Sequence, residues 1–459
     1  MHTCAALASA SGKAGISVIR LSGEDSIQIA DKVFKPASGK SLCDIEPNKT
    51  VYGGIFAPDG NKIDSGMAVC FHAPHSFTGE NTVEISCHGS PVGVGLILSA
   101  LFEAGAVPAI AGEFTKRAFI NGKLDLTRAE AIGQFIDAES AAALSLSTRQ
   151  IDGALSKEIK DISDEITLLL ASLYAYIDYP DEDMTDIPEH ELKARLSALR
   201  EKLTCLCRSY STGVAVNEGV NAAIVGKPNT GKSSLLNMLL GFDRAIVTDI
   251  SGTTRDVVSE KVSIGNILVK LSDTAGIRET EDTVEKIGIE RSMSALAESA
   301  LIFAVFDVTD DDFESVSDVS ETLVSMKDTK NVVIVLNKCD LCSPEKHREY
   351  FEKLGFTHIV EISAKQNKGR EKIENEVSLF YPESCDLENA AILTSARQYT
   401  AVKKALSDTE RAIDVLEKLT PDVACLDMEN ALSSLLEADG RQVSEEIVDS
   451  IFSHFCVGK

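Results

Sequence analysis

The octapeptide from Gly226 to Ser233, GKPNTGKS, has the spacing GxxxxGK[ST]. Glycines at its ends let backbone N–H groups wrap phosphate oxygens, and the helix expected to start at Ser234 adds positive potential. Lys232 is placed to reach β- and γ-phosphates, and the Ser233 hydroxyl to ligate Mg²⁺. The loop follows an apolar run, Asn221–Val225, which is the strand context such a loop requires. Asn229, Thr230, Gly231, Lys232, Ser233 and Ser234 are therefore expected to bind a nucleotide.

The base is specified by Asn337-Lys338-Cys339-Asp340, at the end of the apolar run VVIVL. One carboxylate accepts both the N1–H and the exocyclic amine of guanine, whereas adenine would leave Asp340 buried and unpaired. Ser363, Ala364 and Lys365, after HIVEI, fit the loop behind the base. Asp273, Thr274, Ala275 and Gly276 form DTAG: Asp273 is expected to hold Mg²⁺ through water, and the Gly276 N–H to sense the γ-phosphate. Between these motifs lies TDISGTTRD, with Thr248, Asp249, Ile250, Ser251, Gly252, Thr253 and Thr254 as nucleotide contacts and Thr254 as the second Mg²⁺ ligand. In small GTPases a glutamine after DxxG orients the attacking water. Here Ile277 stands in that place and has neither donor nor acceptor.

Three textures position these motifs. Residues 1–121 carry short β-like runs (Gly15–Leu21, Thr50–Phe56, Thr82–Cys87) and one helical stretch, Val92–Phe102, as expected for a small α+β domain. Residues 122–216 read as helical, with Leu155, Ile159, Ile162, Ile166, Leu169 and Leu173 on one stripe. An acidic loop, 178–191, interrupts them. Residues 217–381 alternate apolar strands with helices, the pattern of a mostly parallel sheet covered on both faces. Residues 382–459 return to helix, with Tyr399, Val402, Leu406, Ile413 and Leu416 as the apolar stripe. The expected fold is thus multi-domain: α+β, then a helical bundle made from two chain segments around an inserted Ras-like P-loop domain.

Composition sets limits. The 459 residues are 44% hydrophobic and 25% charged, with a formal net charge of −26. Bulk charge opposes polyanions, so a nucleic-acid partner needs a local basic patch. Lys116, Arg117, Lys123 and Arg128 crowd one segment and are the candidates. With no tryptophan, a stacking platform for single strands is not evident. Eleven cysteines are scattered; Cys339 and Cys342 have CxxC spacing but no second pair, and reduced thiols are expected. No apolar run reaches eighteen residues and no secretory start is seen, so a cytoplasmic protein without a membrane span is expected.

GKPNTGKSS, AIVTDISGTTRDVV, DTAGIRETEDTVEKIGIERS, NKCD and the terminal FCVGK together closely resemble the MnmE (TrmE) family of tRNA-modification GTPases. GISVIRLSG, SFTGENTVEISCHG and GEFTKRAFINGKLDLTRAEA extend the resemblance over essentially the whole chain. It implies an N-terminal domain that binds 5-formyltetrahydrofolate and dimerises, giving a homodimer. It also implies an FAD-dependent partner, MnmG (GidA), in a heterotetramer or larger, and modification of the tRNA wobble uridine at carbon 5.

By motif, the resemblance places folate at Arg20, Glu80, Lys123 and Lys459. Arginine and lysine suit glutamate carboxylates, and a carboxylate suits pterin N–H groups. Two departures lie near this region: SASGKAG replaces a glycine-proline-rich loop, and Ala111 replaces a proline. The resemblance also implies K⁺, held by the Asn229 side chain and the backbone oxygens of Thr248, Ile250 and Thr253, and a catalytic Glu285 in place of the absent glutamine. A ribosome-assembly G-protein switch is the competing reading. Such proteins append a basic RNA-binding module, whereas the segment following the inserted domain here is acidic and ends in FCVGK.

Overall fold

The computed structural model describes residues 2–178, 189–241, 260–271, 296, 299–310, 320, 322–382, 391–418 and 421–459. It divides into two compact units, Met1–Gly133 with Leu436–Lys459, and Gln134–Leu435.

The first unit is built on seven strands: β1 (Cys4–Leu7), β2 (Ala14–Ser22), β3 (Phe34–Pro36), β4 (Val51–Phe56), β5 (Lys62–Phe71), β6 (Thr82–Gly89) and β7 (Val107–Pro108). Their order is β3-β4-β5-β6-β2-β1-β7, antiparallel except where β1 meets β7. Alternation sorts the faces of β2. Ile19 and Leu21 point into a core with Ile85, Ile97 and Leu101, while Ile16, Val18 and Arg20 take the other face. The Pro91–Glu103 helix covers that core, with proline at its first turn and the Ser90 hydroxyl accepting from the Gly93 N–H. The expected strands of this region are found to within a residue or two, and the expected helix is one residue longer at each end. β1, β3, β5 and β7 are additional.

The unit holding residues 1–121 also takes in 122–133 and the chain's last 24 residues, from Leu436. The Leu126–Asp137 and Glu445–Ser453 helices close over Leu126, Ala129, Val448 and Phe452. Beyond them Val457 bridges Ala111, and the Lys459 carbonyl accepts from the Phe114 N–H at 2.9 Å. Gly458 lies at φ 101°, where a side chain would meet the Leu7 carbonyl oxygen at 2.0 Å. Only glycine fits there.

The second unit contains β8 (Val220–Val225), β9 (Glu260–Ile264), β10 (Ile267–Leu271), β11 (Leu301–Asp307), β12 (Asn331–Asn337) and β13 (Ile359–Glu361), ordered β13-β12-β11-β8-β10-β9. All neighbours are parallel except the β9–β10 hairpin. Both faces are buried, as continuous apolar runs require. In β11, Leu301, Phe303 and Val305 enter one core, and Ile302, Ala304 and Phe306 the other. Helices Lys232–Leu240, Glu345–Lys353 and Arg370–Phe380 accompany the sheet.

The remaining helices of this unit include Ala141–Ile151, Ala154–Asp178, Glu189–Asn217, Ala396–Lys418 and Pro421–Asp439. The stripe from Leu155 to Leu173 is buried as expected. On Ala396–Lys418 the buried line runs through Ala401, Val402, Ala405, Ala412 and Leu416, leaving Tyr399, Leu406 and Ile413 half-buried at its flank. Small residues form the seam because the helix lies close against Glu189–Asn217, where Tyr210 stacks on Tyr399 with centroids 4.5 Å apart. Buried and half-buried polar side chains link the segments around Gln134, Asn217 and Thr394. Asn217 donates to Gln134, Gln134 to Thr394, Thr394 to Gln150, and Gln150 to the Ile392 carbonyl, at 2.7 to 3.1 Å. No described helix is long and apolar enough to cross a membrane.

Candidate functional site

Parallel pairing puts the carboxyl ends of β8, β11, β12 and β13 along one edge, where open α/β sheets bind ligands. The phosphate loop leaves β8 there. Its helix begins at Lys232, two residues earlier than expected, because Gly231 at φ 97° serves as the cap. Asn229 also takes a left-handed conformation, at φ 64°, and its side chain is exposed. The Lys232 ammonium folds back to the Gly226 and Lys227 carbonyls at 2.8 and 2.6 Å. Burial lowers its pKa, so this cation is partly desolvated and held by neutral acceptors.

Asn337, at the end of β12 and 2% exposed, ties the site together. It donates to the Thr230 carbonyl at 2.9 Å and accepts from the Ala364 and Lys338 N–H groups at 3.0 and 2.8 Å. One buried amide thus fixes the phosphate loop to the turn containing Ser363, Ala364 and Lys365. A side chain at Gly231 would sit 2.1 Å from the Asn337 nitrogen. Asp340 is exposed beside this clamp, with Gln366 donating to it at 3.1 Å. A hydrogen bond from the Ser363 hydroxyl holds its carboxyl below the usual range. The Cys339 N–H donates to the Ile362 carbonyl at 3.1 Å, and burial raises its thiol pKa. A cavity of about 320 Å³ opens between the loop helix and this turn, lined by Ser234, Asn237, Met238, Ala364 and Lys365 among others.

The structure therefore brings Asn229, Thr230, Gly231, Lys232, Ser233 and Ser234 to the same sheet edge as Asn337, Lys338, Cys339, Asp340, Ser363, Ala364 and Lys365. Thr248, Asp249, Ile250, Ser251, Gly252, Thr253, Thr254, Asp273, Thr274, Ala275, Gly276 and Glu285 lie outside the described residues. Among described residues no group of histidine, cysteine or carboxylate side chains forms a metal cluster, Cys339 and Cys342 included.

In the first unit the candidate folate residues are largely engaged with their own neighbours. Arg20 pairs across the sheet with Glu84 at 2.7 Å and lies over the rings of Phe77 and Phe114. Glu80 accepts from Arg117 at 2.9 Å and the Ser22 hydroxyl at 2.8 Å, both through Oε2. Lys123 donates to the Pro74 carbonyl at 3.1 Å. Lys459 is tied by its backbone to Phe114, whose ring Arg20 also meets.

The basic cluster expected to face nucleic acid is not a free cationic patch. Arg117 is 4% exposed, with Glu113 and Glu80 as counterions and the His2 and Ser22 carbonyls as further acceptors. Lys116 pairs with Asp449. Sequence reasoning also passed over Asp307, at the end of β11, which receives the Lys338 ammonium at 2.5 Å. Its signal was available: Asp307 ends an apolar strand just as Asn337 does. For Arg117 the signal was Glu113, four residues earlier on the same helix.

The family models that match this chain divide it between residues 123 and 126. A family model described as GTP-binding protein TrmE N-terminus matches residues 3–123, and one described as MnmE helical domain matches 126–456. A protein of Clostridioides difficile (strain 630) named tRNA modification GTPase MnmE is 39% identical over 463 residues, covering 100% of this chain and 99% of its own. Its namesake in Thermotoga petrophila is 40% identical over 462 residues, covering 100% of both chains. A solved structure of Era with MgGDPNP and ribosomal RNA nucleotides aligns at 28% identity over 41% of this chain and 66% of that one, at a TM-score of 0.27. Matched by two models of one family and by full-length relatives of one name, this chain belongs to the MnmE (TrmE) family.

Proposed function

We propose that this chain is a GTP hydrolase whose cycle serves tRNA modification, the activity that the names of its relatives state for them. The observation that carries the reading is the Asn337 clamp, which holds the phosphate loop and the Ser363–Lys365 turn with the Asp340 carboxylate beside them. A fixed carboxylate at that place rewards guanine and penalises adenine. Lys232 is poised for a phosphate, since an anionic oxygen replaces neutral carbonyls around a half-desolvated ammonium.

Of the described residues Ser233 fits magnesium, its hydroxyl being exposed; in this reading Thr254 would be the second ligand and Asp273 would act through water. Bound there, the ion neutralises charge between the β- and γ-phosphates. Asn229 offers K⁺ an exposed amide oxygen, and Thr248, Ile250 and Thr253 complete its cage in this reading. Glu285 orients the attacking water that Ile277 cannot. Folate fits the first unit in one respect: Arg117 and Ser22 occupy only Oε2 of Glu80, and Oε1 has no partner among the described residues. Arg20, Lys123 and Lys459 would serve its carboxylates. The chain works as a cytoplasmic homodimer with an FAD-dependent MnmG (GidA) partner, and the modified atom is carbon 5 of the wobble uridine.

Nucleoside analysis of bulk tRNA from a strain lacking the gene tests the reading. Loss of the wobble modification is expected; intact wobble uridines would sink it. Turnover of the purified protein should fall sharply when Na⁺ replaces K⁺ at equal ionic strength, and Glu285→Ala should lower kcat by roughly 10²-fold at unchanged nucleotide affinity. Equal rates in both salts together with an active Glu285→Ala would overturn the proposed hydrolytic mechanism.

A further inference from the structure

The loop that leaves β11 grips both nucleotide motifs at once. Asp307 accepts from the Lys338 ammonium at 2.5 Å, and its other oxygen accepts from the N–H and hydroxyl of Thr309 at 2.9 and 2.7 Å. Three residues on, Asp310 stands 4.0 Å from Lys227 of the phosphate loop, and its carbonyl meets the buried His347 ring at 2.9 Å. The Val308 N–H donates to the Asn337 carbonyl at 3.1 Å, locking this loop against the strand end that carries the clamp.

Lys338 itself is held in an uncommon conformation, at φ 65°. A non-glycine residue persists there only where its surroundings over-determine it. Two partners do so: Asn337 Oδ1 takes its N–H, and Asp307 takes its ammonium. A lysine stem has four rotatable bonds, and ordering them on binding opposes affinity. Here that ordering comes from a half-buried ion pair with a carboxylate that is itself fixed by two Thr309 donors, before any ligand arrives.

We propose that Asp307 is a positioning residue for guanine nucleotide binding, acting through Lys338. By anchoring the ammonium it sets the lysine stem as a fixed wall beside Asp340, so the ligand does not have to order that side chain. The inference rests on the proposed assignment of the base to Asp340.

The test is a double-mutant cycle on the full-length protein, read by the affinities of fluorescent GDP and GTP analogues. Asp307→Asn keeps the shape of the side chain but removes the charge. It should weaken both nucleotides about tenfold, the scale of one charge-assisted hydrogen bond. Lys338→Met should weaken them at least as much. In the double variant the losses should not multiply, and Asp307→Asn should add less than about twofold to Lys338→Met. A merely structural aspartate would give multiplying losses, and that result, or an unchanged affinity in Asp307→Asn, overturns the proposal. Should Asp307→Asn fail to fold, the same cycle is read with Asp307→Glu, which keeps the charge and moves it by one methylene. Asp340→Asn separates the two levels. If it fails to shift preference toward xanthosine nucleotides, the base assignment falls; if it shifts them while the cycle is additive, only the role of Asp307 falls.

Discussion

Around Asn337 in the second unit, polar groups are held mainly by the main chain, whereas in the first unit charged groups hold one another. Asn337 is satisfied by one carbonyl and two amides, and Asp340 stays exposed, met by the Gln366 amide and the Ser363 hydroxyl. Arg117 consumes two carboxylates and Arg20 a third. A site organised by backbone can present its recognising charge to a ligand unspent. A site organised by ion pairs must share or exchange its charges when a ligand enters, which ties recognition to salt and to the integrity of the fold.

The strongest challenge to this contrast is Arg117→Met. It leaves Glu80 and Glu113 without their cation, and breaking a buried pair from one side costs about 3–5 kcal/mol. Urea unfolding should register that loss in the first unit, and a change below about 1 kcal/mol would show that the pairs do not organise it. Gly231→Ala attacks the other side. At φ 97°, with a methyl 2.1 Å from the Asn337 nitrogen, strain and displacement of the clamp should reduce GDP affinity by about 100-fold or more. Wild-type affinity would mean that the clamp is dispensable.

Asp340→Asn should weaken GTP about tenfold or more and improve xanthosine triphosphate, because an amide can donate to the xanthine oxygen. Titration with both nucleotides checks this, and unchanged GTP binding would remove the carboxylate from the site. Glu84→Gln should cost less, about 1 kcal/mol, since its pair with Arg20 is partly solvated. The same variant should free Arg20 and tighten folate in equilibrium dialysis. Weaker folate binding would mean that Glu84 holds Arg20 in place rather than competing for it.

The smallest effect concerns acid. Burial pushes the Asp307 carboxyl up, but Lys338 and Thr309 outweigh it and hold the group below the ordinary carboxylate range. A carboxyl lowered on folding contributes its full stability above the unfolded value, near pH 4, and loses it as pH falls through the folded value. Asp307→Asn should therefore flatten the stability profile below about pH 4 and leave it parallel to wild type near neutrality. An acid limb as steep as that of the wild type would discount this pair.

Much of the second unit was legible because its signals are local. Continuous apolar runs such as LIFAVFD can be satisfied only by burial on both faces, and the phosphate loop, NKCD and SAK each sit at the end of such a run. The first unit was read less fully. β1 and β5 carry alanines, a glycine and a serine among their apolar positions, so alternation is faint, and pairing decides them. Arg117 was taken for a surface cation because residue type speaks for exposure. Its Glu80 partner is 37 positions away and its His2 acceptor 115, distances over which sequence texture is silent. Asp307 escaped for the same reason, its lysine lying 31 residues further on.

The return of the chain's end to the first unit sets a timetable for biosynthesis. Leu126 and Ala129 emerge from the ribosome early, but Val448 and Phe452, which cover them, are made only after all of Gln134–Leu435. At about 5–20 residues per second that is a wait of roughly 15–60 s. Throughout it the apolar side of the Leu126–Asp137 helix is bare, and the slot beside Leu7 that Gly458 fills stands open. The nascent first unit is thus a candidate client for chaperones that shield exposed apolar surface until Val448 and Phe452 have been made.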